Sequence, residues 1–124
     1  MDLLLDTHTL VWLGTGSPKL SRIASDAIAA LDANLLVSGV IAFEYADLRH
    51  RKRLPGAEPL ADLIDDFEIT LLDYPAAASD IAAQLPDIHR DPVDRMLIAH
   101  GLHLDCALVT IDSWIHDYPV KIVW

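Results

Sequence analysis

Apolar and polar positions alternate along this chain in blocks that change period. Short continuous apolar runs occur at 2–6 (Leu3-Leu4-Leu5), 35–38 (Leu35-Leu36-Val37-Ser38), 69–72 (Ile69-Thr70-Leu71-Leu72), 107–110 (Ala107-Leu108-Val109-Thr110) and 120–123 (Val120-Lys121-Ile122-Val123). Runs of this length predict buried strands. Between them the apolar residues recur at helical spacing, as Ile23, Ala27, Ala30 and Leu31 do over 22–31. Helices are predicted from 7 (with Thr7 or Thr9 as the cap), over 22–31 (capped by Ser21), 41–52, 59–67, 76–84 and from Asp91-Pro92 to about 103. Ser17-Pro18 reads as a turn, and Leu54-Pro55-Gly56 as a helix stop. Strands alternating with helices predict an α/β fold, a three-layer α/β/α sandwich around a parallel sheet with right-handed crossovers. No repeat, low-complexity stretch or linker interrupts the pattern, so residues 1–124 are expected to form one domain.

Composition refines this picture. A hydrophobic fraction of 52% is ample for one core. No apolar run approaches the roughly 20 residues that span a bilayer. The start, Met1-Asp2-Leu3, lacks a basic stretch, which argues against a secretory signal. The lone Cys106 excludes an internal disulfide and fits a reducing cytoplasm as a buried, inert thiol. The net charge of −10 would by itself oppose binding to nucleic acid. Carboxylates gathered around a cation are not free negative charge, however, and the few basic residues are clustered. Arg49, Arg51, Lys52 and Arg53 fall within five positions, at a predicted helix end. They read as a solvated terminus that complements the helix dipole, or as a contact for RNA or a partner.

The acidic residues carry the chemistry. Asp6 ends the first apolar run, Glu44 interrupts an apolar helix, Asp94 lies in the first turn of the helix at 92, and Asp112 follows the fourth strand. Each has an ordinary explanation as a cap, a dipole partner or a turn residue. In an open parallel sheet all four would arrive at one edge, beyond the carboxyl ends of the strands, where ligands bind. Carboxylates gathered there repel one another unless a hard cation such as Mg²⁺ or Mn²⁺ joins them. Asp91 is expected as the N-cap with Pro92 at N1 and Asp94 at N3. His100 and His103 lie three apart on one helix; without a third ligand they read as partly exposed helix residues, and His8 as a neighbour of the site. There is no Ser-His-Asp arrangement, Gly-rich phosphate loop or zinc spacing.

Leu4-Leu5-Asp6-Thr7-His8, Ser38 with Glu44, Asp91-Pro92-Val93-Asp94-Arg95-Met96-Leu97-Ile98-Ala99 and Leu108-Val109-Thr110-Ile111-Asp112 together resemble the PIN domain, in its VapC-type toxin-ribonuclease branch. The resemblance runs over nearly the whole chain. Asp-Pro-x-Asp-Arg followed by Ile-Ala is its most specific part. It implies a Mg²⁺- or Mn²⁺-dependent endoribonuclease that leaves 5′-phosphate and 3′-hydroxyl ends. The family's acidic positions fall on Asp6, Glu44, Asp94 and Asp112, with Asp6, Asp94 and Asp112 as metal ligands and Asp91 and Thr110 as accessory positions. Val93 stands where the family usually carries an aromatic residue. The same resemblance implies a homodimer, silenced by a small antitoxin whose tail, expected to be basic, enters the groove; the lone cysteine adds the expectation of a cytoplasmic protein. A receiver domain would need an acidic pair after the first strand, and a haloacid-dehalogenase-like phosphatase a second Asp where His8 stands. A catalytically silent protein-binding module on the same fold is the remaining alternative, and the complete carboxylate set argues against it.

Overall fold

The computed structural model describes all 124 residues. Five parallel strands form one sheet in the order β3-β2-β1-β4-β5, with β1 at Asp2–Leu5, β2 at Asn34–Ser38, β3 at Thr70–Leu72, β4 at Ala107–Val109 and β5 at Ile122–Val123. Six helices flank it: α1 (Thr7–Thr15), α2 (Arg22–Ala29), α3 (Gly39–His50), α4 (Leu60–Phe67), α5 (Ala77–Gln84) and α6 (Pro92–Leu104). This is the expected three-layer sandwich. Four of the strands (β1, β3, β4 and β5) are shorter than their apolar runs because ladder pairing stops before hydrophobicity does, whereas β2 starts one residue earlier, at Asn34. Residues 120 and 121 stay outside β5, and a single 3₁₀ turn at Ile115–Asp117, which the pattern did not announce, fills the approach to it.

The core follows from strand position. Leu3, Leu4 and Leu5 are fully buried in the central strand, covered on both faces, which is why this segment reads as an unbroken apolar run. Edge strand β3 leaves Thr70 and Leu71 exposed. Helix α6 packs closely on β4 because Gly101 has no side chain; a Cβ there would sit 2.8 Å from Leu108 Cδ2.

Chain order decides where a site can lie. The sheet grows from β1 through β2 to β3, then returns to place β4 on the other side of β1. The β1/β4 boundary, with Leu5 opposite Val109, is therefore the point where the winding reverses. Loops leaving the two strands there part to opposite faces and open a crevice.

The segment between α5 and α6 has no ladder of its own and is clamped by side chains. The Arg95 guanidinium donates to the carbonyls of Ala82 (2.9 Å), Leu85 (3.1 Å), Pro86 (3.0 Å) and His89 (3.4 Å). The Tyr118 hydroxyl accepts from the His89 N–H at 2.8 Å and donates to the Pro86 carbonyl at 3.0 Å. Replacing Arg95 by Met keeps the aliphatic stem and strips these carbonyls of their donor. Thermal unfolding should show a loss of about 2 kcal/mol, or roughly 8 °C in Tm. An unchanged Tm would show that the clamp is not part of the fold's stability.

Candidate active site

Asp6 is placed by two jobs at once. Its backbone N–H donates to Val109 O (3.3 Å), extending the β1/β4 ladder, and its Oδ1 accepts from the Thr9 N–H at 2.8 Å. Asp6 itself therefore caps α1, where Thr7 or Thr9 had been expected. A cap must lie just outside the helix, and α1 begins one residue earlier than a threonine cap would require. Thr9 instead donates its hydroxyl to Val109 O (2.8 Å), tying α1 to β4. Thr7 donates to Glu44 Oε1 at 2.6 Å, drawing the side chain of α3 toward the end of β1.

Asp91 caps α6, its Oδ1 accepting from the Val93 N–H at 2.9 Å, with Pro92 and then Asp94 in the first turn as the sequence predicts. Asp112 folds back on its own loop, accepting from the Trp114 N–H (3.0 Å), while its amide donates to the Thr110 hydroxyl (3.1 Å). Thr110 is fully buried at the end of β4.

Asp6, Glu44, Asp91, Asp94 and Asp112 converge on one cleft of about 340 Å³, with Thr7, His8, Leu48 and Ile111 completing its wall. Every acidic residue singled out from the sequence reaches it, and His8 borders it. The tightest donor set within it is narrower and includes a residue the sequence reading missed. His89, Asp94 and Asp112 each offer a ligand atom within 4.8 Å of the others. His89 Nε2 lies 3.0 Å from Asp94 Oδ2 and 3.4 Å from Asp112 Oδ2. Its Nδ1 accepts from the Asp91 N–H at 3.1 Å, which puts the ring proton on Nε2, facing the two carboxylates. No spacing rule marks a histidine in a loop; its proximity to the Asp-Pro-x-Asp segment was the available signal. Asp6 lines the same cleft but stands outside that closest trio.

The electrostatics match the crowding. Burial raises the pKa of Asp6, against the pull of hydrogen bonds from Thr110 and Thr9. Asp94 is raised to about 7, first by burial and then by the Asp91 carboxylate; Asp112 and Glu44 add to this and His89 opposes it. The chain's lysine and arginine ion pairs fall on Asp26, Asp47 and Asp105, so neither lysine nor arginine neutralises the cleft, and His89 alone faces its carboxylates. Clustered, desolvated oxygen donors without a lysine or arginine counter-charge suit a hard divalent cation.

The other candidates separate. In the basic run, Arg49 donates to Ala57 O (3.1 Å) and Arg51 pairs with Asp47 (3.3 Å). Lys52 takes a left-handed turn at φ 59°, and Arg53 reaches a hollow beside His8. His100 is not partly exposed as expected. It is buried at 1%, bonded through Nδ1 to the Ser38 hydroxyl (2.9 Å) and set edge-on to Tyr74, and burial lowers its pKa. Helical spacing alone did not reveal that this face of α6 turns inward. Cys106 is buried as expected, its thiol pushed up to about 11 by burial first.

A parallel sheet with this winding and a carboxylate cleft at its switch point define a PIN-type nuclease architecture. The PIN domain family model matches residues 3–121, and the chain belongs to that family. Among curated proteins, it is 33% identical to Ribonuclease VapC22 of Mycobacterium tuberculosis over 98% of this chain and 97% of that one. Its fold is similar to a crystal structure of VapBC2 from Rickettsia felis bound to a promoter DNA fragment (TM-score 0.72, 16% identity, 98% of this chain and 97% of that one). It is also similar to VapBC-1 from nontypeable Haemophilus influenzae (TM-score 0.58, 20% identity, 98% and 96%). No helix is long and apolar enough to cross a membrane.

The raised pKa of Asp94 has a definite sign for stability. An acid whose folded pKa lies above its unfolded value contributes stability that is fully present below about pH 4 and is lost as pH rises through 7. In EDTA at pH 8, Asp94→Asn should therefore melt at least about 4 °C above the wild type, and the gain should vanish near pH 4. Millimolar Mn²⁺ should raise the wild-type Tm and leave the variant's unchanged. A variant less stable at pH 8 would show that the carboxylates do not repel.

Proposed function

We propose that this chain is a Mg²⁺- or Mn²⁺-dependent endoribonuclease and the toxin of a toxin-antitoxin pair, with residues 1–124 acting as one PIN domain. The observation that carries this reading is the convergence of Asp6, Glu44, Asp91, Asp94 and Asp112 on one cleft at the β1/β4 switch point. Membership of the PIN family and the likeness to a VapC ribonuclease support it.

Asp6, Asp94 and Asp112 are the residues that would hold the cation, with His89 beside the latter two. A cation bound there supplies positive charge for the phosphate and acidifies water at neutral pH. The chain's own side chains do the positioning. The Thr9 N–H holds Asp6 Oδ1 and fixes the carboxylate at the cleft wall. Thr7 holds Glu44 Oε1, leaving Oε2 to orient the attacking water or take its proton. Asp91 is more exposed and serves as a helix cap; its part in the chemistry is accessory, as is that of the Thr110 hydroxyl, which supports Asp6.

An antitoxin with a basic, extended tail complements an acidic cleft, and exposed Phe43 and Trp114 offer it apolar surface. A homodimer working in the cytoplasm completes the proposal.

The purified protein should cut RNA with Mg²⁺ or Mn²⁺ and stop with EDTA. Asp6→Asn keeps the shape of the side chain and should lower the rate by at least about 100-fold, roughly 2.7 kcal/mol of barrier. Expressed alone, the wild type should arrest growth and Asp6→Asn should be harmless. Near wild-type cleavage by Asp6→Asn would sink the assignment. Absence of both cleavage and toxicity in the wild type would favour the silent binding module.

A further inference from the structure

A second hollow adjoins the carboxylate cleft and carries the opposite charge. It encloses about 500 Å³, and its wall includes His8, Trp12, Thr15, Ser17, Lys19 and Arg53. His8 belongs to both walls, so the two spaces meet across one side chain. The volume lies in the range of small-ligand sites.

The parts are held in place. The His8 ring lies against Trp12 (centroids 5.7 Å apart), and Trp12 packs on Trp124 (5.8 Å). The Arg53 N–H donates to Leu48 O at 2.9 Å, and Leu48 borders the carboxylate cleft. The next residue, Leu54, is buried and anchors the turn. Neither Lys19 nor Arg53 shares in the chain's ion pairs, whereas Arg22, Arg51 and Lys121 each do. In a chain with a net charge of −10, two unpaired cations and two aromatic rings thus flank a space that shares the His8 wall of the carboxylate cleft. Cations that follow a backbone, beside rings that receive bases, are what single-stranded nucleic acid requires.

We propose that this hollow is the subsite for the nucleotide adjoining the scissile phosphate, with Lys19 and Arg53 on its backbone phosphate and the rings of His8 and Trp12 receiving its base. This rests on the ribonuclease reading above and adds the route of the strand. A basic antitoxin tail suits the carboxylate cleft but is repelled here by like charge, so RNA is the better occupant.

The test measures binding of a short single-stranded oligoribonucleotide with Mg²⁺ in the Asp6→Asn full-length chain, as a function of salt. Adding Lys19→Gln and Arg53→Gln together should weaken binding about tenfold at low salt and flatten the log K against log salt slope by about 1 to 1.5. The same charge change at Lys121, paired with Asp105 at the opposite edge of the sheet, should alter neither. Equal affinity and slope in the double variant and in Lys121→Gln would overturn the subsite. If wild-type protein still cut RNA in that case, the ribonuclease reading would stand without it. A loss in the double variant, with no cleavage by the wild type, would support the subsite and remove the reaction. Decaglutamate bound more tightly than RNA, and lost in the double variant, would overturn the nucleotide in favour of an acidic protein partner.

Discussion

Like charges held together where the fold withdraws water are the constraint on which the rest of this structure depends. Asp6 is almost wholly buried, and Asp94 is raised to about 7 by burial and neighbouring carboxylates. A cluster of this kind costs free energy without a counter-charge, and the chain supplies no lysine or arginine to it. Its persistence requires a scaffold stiff enough to hold side chains that would otherwise part, and a function that uses the unsatisfied charge.

That scaffold can be traced bond by bond. Thr9 joins α1 to β4 and orients Asp6, and Thr7 draws in Glu44. Ser38 caps α3 through the Val40 N–H and also bonds His100 on α6, so the helices bearing Glu44 and Asp94 are linked at their buried sides. Tyr74 donates to Met96 O, and Arg95 with Tyr118 fixes the segment that presents His89. The carboxylates thus stand on hydroxyl, imidazole and guanidinium groups, and these supports cross between elements far apart in sequence.

Much of the fold and most of the cleft were legible because local rules and the global fold agree. An Asp after three leucines must end a buried strand, and an Asp-Pro with Asp two residues on must open a helix. Both rules place charge at the same edge of a parallel sheet. What escaped the sequence depended on tertiary placement. His89 acts through a loop whose path is set by Arg95 and Tyr118. His100 looked like a helix-surface residue until Ser38 and Tyr74 closed over it. The threonine cap was displaced by one position because Asp6 serves the helix and the cleft at once. The basic run read as one patch, yet only Arg53 reaches the hollow beside the cleft.

Central here is the proposal that the carboxylates at the β1/β4 edge hold divalent metal, one ion or two, in common. Anomalous diffraction from crystals grown with Mn²⁺ tests it most directly. The account predicts a peak bonded to oxygens of Asp6, Asp94 and Asp112 at about 2.2 Å. Ordered side chains with no peak among them, or manganese only at other acidic residues such as Asp65 and Asp66, would contradict it.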